Sequence, residues 1–128
     1  MEMKITSIET ARLLRKHRFN EPTTSYYDVD GILRTIGEGE ATCWNSPAHD
    51  KSIRHKVYAA PTLALAQKWL REKKHYDVLV DRDYLFGKVG KYFAKIIRLK
   101  DGAISEAMHC RSYEKALEHG IKKALRTM

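Results

Sequence analysis

Ala60-Pro61-Thr62-Leu63-Ala64-Leu65-Ala66-Gln67-Lys68-Trp69-Leu70-Arg71-Glu72-Lys73-Lys74-His75 is the stretch whose reading decides the fold. At 100° per residue, Leu63, Leu65, Ala66, Trp69 and Leu70 fall on one arc, and Gln67, Lys68, Arg71, Glu72 and Lys74 on the other. The spacing predicts an amphipathic helix over 60–75, with Thr62, behind Pro61, capping its first turn. Such a helix must lay its apolar arc on a neighbour, and strands follow it directly. Trp69 lies on that arc and reads as core rather than as a stacking platform.

Tyr76 to Val80 alternates as a strand, and Lys91 to Leu99 makes a second. Lys100-Asp101-Gly102 turns into a third, from Ala103 to about Cys110. Ser112 then caps a final helix whose apolar positions are Tyr113, Ala116, Leu117, Gly120, Ile121, Ala124, Leu125 and Met128. Glu114 and Glu118 stand early in it and Lys122, Lys123 and Arg126 late, which suits the helix dipole. Gly120 on the apolar side implies that another element comes close there. Residues 61–128 therefore read as an α-β-β-β-α unit.

Upstream, Thr6-Ser7-Ile8-Glu9 reads as a capping box opening a helix to about Arg18, stopped by Asn20-Glu21-Pro22. Arg12, Arg15, Lys16 and Arg18 form its basic side, read as a solvated face in preference to a phosphate contact. Tyr26-Tyr27-Asp28-Val29, Asp30-Gly31 and Ile32-Leu33-Arg34-Thr35-Ile36 form a hairpin signal with a two-residue turn. A polar loop occupies 37–53, with Trp44 anchored back on the core, and a short strand runs from Arg54 to Ala59. The chain thus reads as one α+β domain over 1–128, an antiparallel sheet with helices packed on one face. Its parts are a helix and hairpin (5–36), the loop (37–53) and the α-β-β-β-α unit (61–128).

The 128 residues, 43% of them hydrophobic, suffice for one core. No run of 18 apolar residues predicts a membrane span, and Met-Glu-Met-Lys-Ile-Thr-Ser lacks the apolar segment of a signal peptide, so the expected location is the cytoplasm. Cys43 and Cys110 suit reduced thiols there. The net charge of +8 is uneven: residues 1–60 hold 9 Lys/Arg against 8 Asp/Glu, and residues 61–128 hold 15 against 8. A basic half attracts polyanions, nucleic acid above all.

No catalytic or cofactor motif accompanies that charge. The six histidines form no His-Glu-x-x-His and the cysteines no Cys-x-x-Cys, and Cys43, His49, Asp50 and His55 share one region without ligand spacing. Adjacent on a strand, His109 and Cys110 point to opposite faces and do not form a nucleophile–base pair. Asp81 and Asp83 read as solvent-facing acids. Gly87-Lys88-Val89-Gly90-Lys91 lacks the length and following Ser/Thr of a phosphate loop. The chain reads as a non-enzyme with no cofactor or metal.

Two resemblances add to this. In length and order, 61–128 resembles the double-stranded-RNA-binding domain, which implies that fold. That family clamps phosphates with a lysine cluster at the start of its last helix, where Tyr113, Glu114 and Leu117 stand here, so the resemblance does not carry RNA binding with it. Nearly end to end, the chain resembles short bacterial proteins encoded in prophages and mobile elements. Shared with them are Phe19-Asn20-Glu21-Pro22, Tyr26-Tyr27, Ala60-Pro61-Thr62 with Gln67-Lys68-Trp69-Leu70-Arg71, and Ser112-Tyr113-Glu114 through Gly120-Ile121. Their final helix is usually more acidic than this one, which carries Lys122-Lys123. The resemblance implies a small accessory protein.

Two functions follow as expectations. The first is binding of nucleic acid through Arg71, Lys74, Lys88, Lys91 and Lys95. The alternative is a protein-interaction module that engages a host or phage protein through Tyr26, Tyr27 and Trp44.

Overall fold

In the computed structural model, which describes residues 4–37, 40–46, 56–82, 91–107 and 109–128, the first helix is capped one residue later than the capping box predicts. Helix α1 spans Ile8–Lys16, and the Ser7 side chain accepts from Thr10 N. Thr6 is instead buried, and both its N–H and its hydroxyl donate to Pro61 O, each at 3.0 Å. A partner 55 residues away outbids the local cap, because a buried hydroxyl without an acceptor is costly.

The fold is α+β, and its strands divide between two three-stranded antiparallel sheets. The chain packs as two compact units, Met1–Thr62 and Leu63–Met128. In the first, β1 (Ser25–Tyr27) lies between β2 (Leu33–Thr35) and β3 (Tyr58–Ala59). The connection between β1 and β2 is not the two-residue turn predicted. Asp28 N–H bonds Ile32 O, which leaves Val29, Asp30 and Gly31 as a three-residue loop, with Gly31 at φ +78° in the left-handed position such loops require. Asp28 sets this length. Its Oδ1 accepts from the backbone of Asp30 and Ile32, and its Oδ2 from Arg34 Nε at 2.9 Å, which together hold its carboxyl below the usual range.

Ala11, Leu14, Phe19 and Ala59 form the buried centre of this unit. Asn45 links its pieces: Nδ2 donates to Phe19 O at 2.7 Å, and Oδ1 accepts from Ala59 N at 3.0 Å and from Arg15 Nη1 at 3.4 Å. The strand expected over 54–59 is described at Tyr58–Ala59; Arg54 lies outside the described residues, as does much of the 37–53 loop.

In the second unit, α2 covers Leu63–Trp69 and continues as a π-helical turn over Leu70–Lys74. The helix begins later than predicted because Pro61 and Thr62 belong to the first unit, where Thr62 bridges Ile5. The π turn closes with His75 N–H bonded to Leu70 O, five residues back, and His75 leaves the helix in the left-handed region at φ +62°. Trp69 is buried, as its place on the arc implies, together with Leu63, Ala66 and Leu70.

Strands β4 (Tyr76–Arg82), β5 (Tyr92–Arg98) and β6 (Ala103–Glu106) pair in that order. Register places Val78 beside Ile96 and Val80 beside Ala94 on the face that meets helix α3 (Tyr113–Thr127). Ser112 caps α3 by accepting from Lys115 N. Ala116, Leu117, Gly120, Ile121, Ala124 and Leu125 are its buried side. At Gly120 the backbone of α3 approaches the sheet so closely that a Cβ there would lie 2.5 Å from Ala94 Cβ and 2.7 Å from Val78 Cγ1. On the free side of β4, Gln67 Nε2 donates to Val78 O at 2.6 Å. On β6, Lys123 Nζ donates to Glu106 O. In the turn before β6, Arg98 and the Ala103 N–H hold the Asp101 carboxyl at about 2.

Two substitutions test this packing. Gly120→Ala should lower the melting temperature, because overpacking of about 1–3 kcal/mol exceeds the helix-propensity gain of up to about 1 kcal/mol; a more stable variant would refute the close approach. Asn45→Ala strands the N–H of fully buried Ala59 and should cost about 1–3 kcal/mol in a denaturant titration.

Candidate anion-binding surfaces

Of the residues expected to meet nucleic acid, Arg71 and Lys95 come together on one face. Alternation along β4 puts Asp77, Leu79 and Asp81 on the side of the sheet away from α3. Lys95 Nζ stands 3.7 Å from Asp81 Oδ2. Arg71 Nη1, from the π turn, stands 3.9 Å from Asp77 Oδ1, a buried oxygen that accepts no hydrogen bond among the described residues. Each cation thus has a carboxylate beside it, and the exposed pair of Lys95 with Asp81 is worth at most about 1 kcal/mol. Lys74 Nζ lies 5.5 Å over the Trp69 ring, so its charge is turned to the core tryptophan. Lys91 is exposed just before β5. Lys88 and Asp83 lie outside the described residues, with most of the glycine-rich segment at 87–91.

A different set of basic residues aligns along α3. At 100° per residue, Lys115, His119, Lys122 and Arg126 fall along the side of α3 opposite its buried face, with Lys123 beside them. The spacing of 4, 3 and 4 residues extends over about 16 Å at 1.5 Å per residue. Glu114 and Glu118 occupy a flank of this helix. The late basic residues were read from the sequence as partners of the helix dipole; their line with Lys115 follows from the apolar positions already visible in the sequence, by taking the opposite side of the helix.

The first unit gathers a second basic set at the end of α1. The sequence places Arg12, Arg15, Lys16 and Arg18 on a solvated face, which holds for exposed Arg12, Lys16 and Arg18. Arg15 departs from it. It is half-buried, its Nη1 donates to Val57 O at 2.8 Å, and its guanidinium lies 5.6 Å over Tyr58, which Arg12 also approaches at 5.7 Å. Arg15, Arg18, Phe19, Asn20 and Asn45 line a cavity of about 350 Å³.

The aromatics expected to engage a protein divide. Tyr26 and Trp44 stack with ring centroids 4.1 Å apart, and Trp44 Nε1 donates to Thr23 O, so Trp44 is anchored as predicted. Tyr27 points the other way and donates its hydroxyl to Thr6 O at 2.6 Å, a bond that turns it into the fold. Near them, Val29 and Ile32 are each 50% exposed and Leu33 43%.

His109 rests on Phe93 with ring centroids 5.0 Å apart, while Cys110 pairs through its backbone with Tyr92. No group of three metal-ligating side chains occurs among the described residues; His49, Asp50 and His55 fall outside them. No described helix is long and apolar enough to cross a membrane. No protein-family model, curated protein or solved structure matches the chain.

Proposed function

We propose that this protein is a non-catalytic accessory factor of phage or mobile-element type that binds nucleic acid through its basic second unit, chiefly along α3. The observation that carries this reading is the line of Lys115, His119, Lys122 and Arg126. Over its length of about 16 Å a duplex presents roughly ten phosphates, so the line meets a dense row of acceptors. The contact is to backbone and therefore sequence-tolerant. Arg71, Lys74 and Lys95, beside Asp77, Trp69 and Asp81 respectively, lie outside this line. The grip also differs from that of the double-stranded-RNA-binding domain, since Tyr113, Glu114 and Leu117 stand at that family's lysine positions and the cations here run the length of the helix from Lys115 to Arg126.

A second reading, interaction with a host or phage protein, draws support from the exposed apolar side chains Val29, Ile32 and Leu33 at the hairpin tip.

Fluorescence anisotropy with labelled single- and double-stranded oligonucleotides tests the first. The three permanent charges of the α3 line predict a slope of log K against log salt of about −2.7 on duplex. Lys115→Ala should make that slope shallower by about 0.9 without changing the melting temperature. Absence of binding at tens of micromolar protein in low salt would reject the reading. For the second, a pull-down from bacterial lysate after nuclease treatment should retain a partner that Ile32→Asp releases. If nuclease removes every partner, the protein-partner reading fails.

A further inference from the structure

We infer that the cavity at the end of α1 is a binding site for a phosphoryl group, independent of any contact made by the second unit. Its volume of about 350 Å³ is in the range of small-molecule sites, and two of its five described lining residues are arginines. No carboxylate is among those five.

Arg15 is held in place before any ligand arrives. Its guanidinium is oriented by Asn45 Oδ1 from one segment of the unit and by Val57 O and the Tyr58 ring from another. Pre-organisation of this kind lowers the entropy lost when an anion binds.

Arg18 supplies the second observation. The end of α1 closes with Phe19 N–H on Leu14 O at 2.9 Å and Arg18 N–H on Arg15 O at 3.0 Å, the paired bonds of a Schellman motif. Arg18 therefore occupies the position that glycine usually takes, and it does so at φ +68°. A side chain with a Cβ is disfavoured in that conformation. Here the strained residue carries a charged side chain that forms a wall of the cavity, and backbone strain of this type concentrates at binding sites.

The geometry of the donors selects the ligand class. Arg18 brings a planar fork to the cavity, and Arg15, whose Nη1 is held by Val57 O and Asn45 Oδ1, adds a fixed positive charge beside it. A phosphoryl group, with three oxygens and up to two negative charges, answers two such cations better than a carboxylate with a single charge. The helix end itself carries a partial negative charge, which the cluster of Arg15, Lys16 and Arg18 offsets.

The probe is inorganic phosphate, titrated into the full chain at constant ionic strength and followed by NMR at the backbone amides of Arg18, Phe19 and Asn20 and at Arg15 Nε. Phosphate should move these signals saturably, while sodium acetate and sodium chloride leave them in place. Arg18→Gly should weaken phosphate by roughly tenfold or more while its melting temperature holds or rises, because glycine relieves the backbone conformation. Arg18→Lys, which keeps the charge and loses the fork, should fall between the two. The proposal is overturned if phosphate gives no saturable shift, if acetate or chloride reproduces it, or if Arg18→Gly retains wild-type affinity. A lower melting temperature for Arg18→Gly would equally overturn it, by assigning the arginine to packing.

Discussion

Where Gly120 lies against Ala94 and Val78, the helix backbone meets the side chains of the sheet with no helix side chain between them, and the second unit is organised about that contact. It brings α3 near enough for Ala116, Ile121 and Ala124 to be fully buried, and it sets which side of the helix faces away. The basic line is a product of that rotation. If α3 turned by one residue, 100° of arc, Lys115, His119, Lys122 and Arg126 would leave the outer side together. A residue without charge or hydrogen-bonding side chain thus decides where four polar ones are presented.

The first unit depends on directed hydrogen bonds more than on such close packing. Thr6, Thr10, Thr23 and Ser25 are all buried. Each finds a partner: Thr6 on Pro61 O, Thr23 on Ser25 O, Ser25 with Thr35, and Thr10 with Ser7. Satisfied polar contacts of this kind contribute modestly to stability but fix geometry, because leaving any one unmade is expensive. Asn45 belongs to the same scheme, and through it the Arg15 guanidinium acquires a defined direction. The two units accordingly present their positive charge differently, on an open helix side in one and at a walled cavity in the other.

Elements whose signals are periodic were legible in the sequence. The arc of Leu63, Ala66, Trp69 and Leu70, the spacing of α3 with Ser112 before it, and the alternation of β4 and β5 each identify a structure from neighbouring residues alone. Gly120 was legible for the same reason, as a small residue on an apolar side. What escaped depends on partners distant in sequence. The cap moved from Thr6 to Ser7 because Pro61 supplies an acceptor, and the hairpin lengthened because the Asp28 carboxylate collects two backbone N–H groups and Arg34. Asn45, in a polar loop, gives no periodic signal, so neither its linking role nor the half-burial of Arg15 could be read. The choice of Arg71 and Lys95 as contacts rested on charge and strand position; that Asp77 and Asp81 stand beside them is a matter of register and of the π turn.

The two side chains bonded to the outer strands of the second sheet have a consequence for association. A three-stranded sheet has two open margins, and each is a template onto which another extended chain could add by backbone pairing. Here Gln67 occupies the Val78 carbonyl on one margin and Lys123 the Glu106 carbonyl on the other. An incoming strand would have to displace an amide on the first side and desolvate an ammonium on the second before it could form a ladder. Each helix thus sets one side-chain donor on a margin of the sheet, where it raises the cost of adding a fourth strand.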